Sequence, residues 1–195
     1  MKLVIKAFVF LFVLLLVSLA SGSEWGRFRG PNASGLVVGK TLPSTFSKED
    51  ATWNVTIAGK GNSSPIIGGD NVYVSAATFD DETKKGMRTL FAYSLQTGQL
   101  TWKFQSPFRT YNTNKRNGFA SSSPCADALG VYVFWQSEEG SVLIAFDHSG
   151  KKRWQYEVGQ FGAGTGAATS PIVHEGAVFL SHDNEKFESF LFYHR

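Results

Sequence analysis

The chain has 195 residues and a formal net charge of +3, from 19 basic and 16 acidic side chains. Lys2 and Lys6 sit in the first few residues; without them 17 basic residues (19 − 2) face 16 acidic ones, too even a balance for a nucleic-acid surface. One cysteine excludes an internal disulfide framework, while 14% aromatic residues and 20 glycines suit an all-β chain with many tight turns.

Lys2 and Lys6 precede an apolar run over residues 7–17, which ends in Ser18, Leu19, Ala20, Ser21 and Gly22. A charged start, a short apolar core and a small-residue exit are the layout of a secretory signal peptide over residues 1–22, cut after Ala20 or Gly22. The expected location is therefore periplasmic or extracellular, with no stable membrane insertion once the leader is removed. An uncleaved N-terminal anchor is the alternative, because the apolar stretch is at the lower limit of a membrane span. Residues 23–52 show little periodicity and read as an irregular arm that lays Trp25 and Phe28 onto the domain.

From residue 53 the pattern becomes periodic. Trp53, Val55 and Ile57 alternate with polar residues, the period of a half-buried strand, and the same shape returns at Trp102 and at Trp154. These tryptophans stand 49 and 52 residues apart (102 − 53 and 154 − 102), and a period near 50 signals a propeller or array. Pro65, Pro124 and Pro171, each after a serine, open three paired segments joined by turn residues, and proline is tolerated at a strand's first position. Ala92, Gly98 and Trp102 then align with Ala145, Asp147, Gly150 and Trp154; each glycine precedes its tryptophan by four residues. The glycines are expected to supply positive φ in a turn. This arrangement predicts a domain over 53–195, with blades near 63–105 and 122–159 and an incomplete one over 169–195.

The Ala-x-Asp-x-x-Thr-Gly-x-x-x-Trp pattern resembles the tryptophan-docking repeat of the pyrroloquinoline-quinone-type β-propeller family. Trp25, Phe28, Arg29, Gly30 and Pro31 also resemble the mature start of its secreted bacterial members. The resemblance covers about residues 25–185 and implies an all-β partial propeller of four-stranded antiparallel blades, preceded by the signal peptide. Ser94 departs from the pattern by standing where the family has aspartate. The family contains quinoprotein alcohol dehydrogenases and BamB-like propellers with no cofactor; it implies that Trp102 and Trp154 are wedges between blades rather than catalytic residues. The third unit stops before a glycine turn and a closing tryptophan. About two and a half blades are thus expected, fewer than the four to eight that close a ring. The chain reads as a truncated piece of a longer propeller.

Few residues suggest chemistry. The longest interruption of the repeat is 105–120, where Arg109, Tyr111, Lys115 and Arg116 form a basic, aromatic loop suited to an anionic ligand or a glycan. The glycine-rich stretch after residue 159 leads into a strand rather than a helix and so lacks the phosphate-binding context. His148 and His174 fall in predicted turns, His182 beside Asp183 reads as a surface turn, and no metal-ligand spacing links them. No serine-nucleophile elbow exists, and Cys125 reads as an inert buried residue. The favoured expectation is an exported, non-catalytic binding or scaffold module of the cell envelope, with a protein partner and neither cofactor nor nucleic acid. Alternatives are a fragment of a quinoprotein dehydrogenase, against which the single cysteine argues, and a carbohydrate-related envelope protein.

Overall fold

The computed structural model describes residues 25–37, 43–137, 139–162, 168–186 and 188–194; the expected leader lies outside them. The described residues are all-β apart from two 3₁₀ turns at Pro31–Ala33 and Lys48–Asp50. Strands β1 (Ile66–Gly68), β2 (Asn71–Asp80), β3 (Lys85–Ser94) and β4 (Leu100–Arg109) form one antiparallel sheet in that order. A second four-stranded antiparallel sheet holds β5 (Cys125–Asp127), β6 (Gly130–Trp135), β7 (Ser141–Phe146) and β8 (Lys152–Gly159). A third contains β9 (Ile172–His174), β10 (Ala177–His182) and β11 (Phe190–His194). Three consecutive meanders, each buried against the next, are blades of a partial propeller. Strand β5 touches both β1 and β9, so the first strand of each blade lies innermost.

The burial of β6 explains the packing. Successive side chains of a strand point to opposite faces. Val131, Val133 and Trp135 enter a cluster with Ile66, Tyr73 and Leu90 of the first blade. Tyr132 and Phe134 enter another with Val178 and Leu180 of the third. Every residue of β6 is therefore buried, sandwiched between two sheets. The outer strands β4 and β8 are largely exposed by contrast.

Two repeated joints lock the blades. The indole Nε1 of Trp102 donates to the His148 carbonyl at 2.9 Å, and its ring lies where a Cβ on Gly150 would approach to 2.7 Å. Trp53 repeats this one blade earlier, donating to the Leu95 carbonyl at 2.9 Å and covering Gly98 at the same 2.7 Å. Ala92 and Ala145, both fully buried, stand opposite Trp102 and Trp154 across their ladders, and each is followed by a register shift. The second joint uses the serines before the prolines. The Ser64 N–H donates to Ser123 Oγ at 2.8 Å, and the Ser123 N–H donates to Ser170 Oγ at 2.9 Å. In the turn before Gly150, Asp147 Oδ1 accepts from the Ser149 hydroxyl and from the Ser149 and Lys151 N–H groups, which holds its carboxyl below the usual value. Ser94 does the smaller equivalent, accepting from the Thr97 N–H at 3.2 Å.

Three expectations are corrected. Residues 53–57 are extended and bury alternate side chains, with Val55 and Ile57 against Phe91 and Tyr93, but they pair with no strand. Period-2 patterning reports which side is buried, not whether an edge is available to pair. The interruption expected from residue 105 begins at Thr110, because residues 105–109 continue β4. Pro107 sits opposite Met87 on this edge strand, where a missing ladder donor is tolerated. His182, expected in a surface turn, is fully buried at the end of β10, with Nε2 against the Gln160 carbonyl at 3.1 Å.

Tyr73 joins blades one and two. His148 Nε2 faces the Asp127 carbonyl at 2.9 Å and must donate there, which leaves Nδ1 to accept from the Tyr73 hydroxyl at 2.9 Å. Burial pushes the Tyr73 phenol up to about 12, and burial followed by the Asp127 carboxylate does the same for Tyr132. Both phenols hold their protons in the folded state where an unfolded chain ionises, near pH 10. Their contribution to stability is complete below about pH 10 and is lost as pH rises toward about 12. An ultraviolet difference titration should show Tyr73 and Tyr132 ionising together with unfolding, above the ordinary tyrosine range; titration of both while the protein is still folded would contradict this.

Candidate functional site

The site is built on the innermost strands. The Ile67 N–H donates to the Trp25 carbonyl at 2.9 Å and the Ala126 N–H to the Gly26 carbonyl at 2.7 Å, so the arm crosses blades one and two at their inner edges. Gly30 has φ +69°, and a Cβ there would stand 2.5 Å from the Trp25 ring. Its N–H donates to the Arg27 carbonyl at 2.9 Å while Arg27 Nε donates back to the Gly30 carbonyl at 3.2 Å. This closed turn presents Phe28 outward at 46% exposure.

A cleft of about 710 Å³ opens between the arm, the inner edges of the blades and the loop after β4. Phe28 and Ala33 line it from the arm, Asn62 and Ser123 from before β1 and β5, and Ser170 and Ile172 from the third blade. Asn114, Arg116, Asn117 and Ser121 supply the loop side. That loop is pinned in place. Asn62 Nδ2 donates to the Arg116 carbonyl at 3.0 Å, and the Asn62 and Ser63 N–H groups donate to the Ala120 carbonyl at 3.2 and 3.1 Å. The Arg116 N–H in turn donates to Asn114 Oδ1 at 2.9 Å.

The four loop candidates do not converge. Arg116 alone lines the cleft. Arg109 ends β4 and faces Glu139 at 3.7 Å, an exposed pair worth at most about 1 kcal/mol. Lys115 is exposed. Tyr111 turns inward and donates to the Gln136 carbonyl at 3.1 Å. Beside it lies Arg88, which the sequence analysis missed: it is 4% exposed, with Nε donating to the Phe119 carbonyl at 2.7 Å and its plane 4.3 Å from the Phe108 ring. Nothing in the local pattern marks an arginine inside β3 as buried. The prolines Pro65, Pro124 and Pro171 stand just before β1, β5 and β9, and Trp154 packs against Tyr132 and His194.

Cys125 is fully buried, and burial pushes its thiol far above the usual range. It should resist a thiol reagent in the native protein and react with one equivalent in denaturant; fast native labelling would show that β5 opens. Among the described residues no three His, Cys, Asp or Glu side chains come together as a metal site. No helix among them is long and apolar enough to cross a membrane.

Meandering blades joined by an indole on the next blade's glycine turn define a tryptophan-docked β-propeller. The chain belongs to the pyrroloquinoline-quinone-type repeat family: residues 44–191 match the family described as outer membrane protein assembly factor BamB. Comparison with curated proteins finds no match.

Proposed function

We propose that the chain is an exported, non-catalytic propeller module that binds or scaffolds another macromolecule of the cell envelope, without a quinone cofactor. The observation that carries this reading is how the repeat spends its functional groups. The indoles of Trp53 and Trp102 and the hydroxyls of Ser123 and Ser170 are committed to joints between elements of the fold. The family's description as an assembly factor supports a protein partner. So does the exposed apolar face of the third blade, where Leu191 and Tyr193 lie on one side of β11 and Phe179 stands opposite Tyr193.

A tagged chain should capture a reproducible protein partner from an envelope extract, and Leu191→Asp with Tyr193→Lys should release it. Repeated absence of any partner, or capture indifferent to both substitutions, would count against the reading. Export is supported by Lys2, Lys6 and the apolar run after them. Sequencing the N-terminus of the exported protein should find it beginning at Ser21 or Ser23.

A further inference from the structure

We propose that the cleft beside the arm binds an acidic oligosaccharide, with a uronate carboxylate on Arg116 and a sugar ring against Phe28. This rests on the reading of the chain as a binding module, but not on its protein partner. The volume, about 710 Å³, falls within the roughly 300–1,000 Å³ of small-ligand sites.

The charge pattern selects the ligand class. Among the described residues Arg116 is the one charged residue lining the cleft, and its guanidinium meets no carboxylate of theirs. Arg88 is engaged by backbone carbonyls and Arg109 by Glu139. An uncompensated guanidinium in an otherwise uncharged cleft favours a carboxylate, which it can hold with two parallel hydrogen bonds. A single cation is too little for a phosphate backbone, whose affinity grows with the number of charges neutralised.

The rest of the lining favours hydroxyl groups. Ser170, half-buried on the cleft wall, uses its oxygen as an acceptor in the joint between blades, which leaves its own proton to donate. The Asn62 amide spends its nitrogen on the Arg116 carbonyl, which leaves its oxygen facing solvent as an acceptor. Phe28 offers an apolar ring held by a closed turn, so little order is lost when a sugar's C–H face covers it. An acidic peptide fits less well. Peptides commonly dock by adding a strand to a free edge, and here the arm already occupies the Ile67 and Ala126 N–H groups.

Calorimetry on the full chain tests this with tetragalacturonate, its methyl ester and tetraglutamate. Tetragalacturonate should bind, with about tenfold or greater weakening for the methyl ester, for Arg116→Gln and for Phe28→Ala. Lys152→Gln on the outer strand β8 should bind like the parent, and circular dichroism should show all variants folded. The proposal is overturned by equal binding of the ester, by binding indifferent to Arg116→Gln, by preference for tetraglutamate, or by no binding at all. Mass analysis of the recovered sugar separates the two claims. An intact ligand supports both, whereas cleavage would keep the site and sink the non-catalytic reading.

Discussion

Replacing Gly150 by alanine should destabilise the protein by about 2–5 kcal/mol in urea unfolding. Two costs combine. Gly150 has φ +89°, outside the range L-residues favour, which costs about 1–2 kcal/mol. The new Cβ would also stand 2.7 Å from the Trp102 ring, and forcing apart a packed joint costs about 1–3 kcal/mol. Gly176 separates the terms, since it has φ +73° but nothing within 4 Å of an added Cβ. Gly176→Ala should therefore lose only about 1–2 kcal/mol. In a Trp102→Ala background the steric part vanishes, so Gly150→Ala should cost about as little as Gly176→Ala. Equal losses at Gly150 and Gly176 in the parent would show that the indole is not seated on the turn.

Arg88→Met should cost about 3 kcal/mol or more. The guanidinium is 4% exposed and joins three parts of the chain, reaching the Phe119 carbonyl with Nε and the Gln136 carbonyl and Tyr111 hydroxyl with Nη2. Burial pulls its pKa below the usual arginine value, and Tyr111 opposes that pull. Removing the fork strands buried acceptors, at about 1–3 kcal/mol for each group left unsatisfied. Arg88→Lys should recover only part of the loss, because one ammonium cannot reproduce a planar fork. The local consequence is sharper than the global one. Tyr111 and Phe119 bracket the loop that carries Arg116, so trypsin should cut Arg88→Met faster at Lys115 and Arg116 than the parent. Cleavage at the parent's rate would mean that the loop is held by its own asparagine turns instead.

Much of the fold was readable from spacing. Trp53, Trp102 and Trp154 recur with glycine turns in phase, because each blade is one meander of nearly fixed length. The three Ser-Pro steps mark the innermost strands for the same reason. The candidate site was read less well. Only Arg116, of the four loop residues singled out, lines the cleft, and Tyr111 turns inward, half-buried, onto the Gln136 carbonyl. Phe28 was read simply as an aromatic packing onto the domain. That it borders a cleft depends on where Trp25 and Gly26 meet β1 and β5, contacts more than 40 residues apart in sequence.

By itself the sequence determined the all-β class, the repeat length and the residues that turn and wedge each blade. These follow from local periodicity and composition, which each segment carries alone. Only the tertiary structure decided that β6 is buried on both faces, that residues 53–57 find no strand partner, and that Arg88 and His182 lie inside. Those outcomes depend on which surfaces neighbouring blades cover. A residue's pattern says which side wants burial; the neighbour decides whether one side or both receive it, and whether a cation meets carbonyls, as Arg88 does, or an open cleft, as Arg116 does.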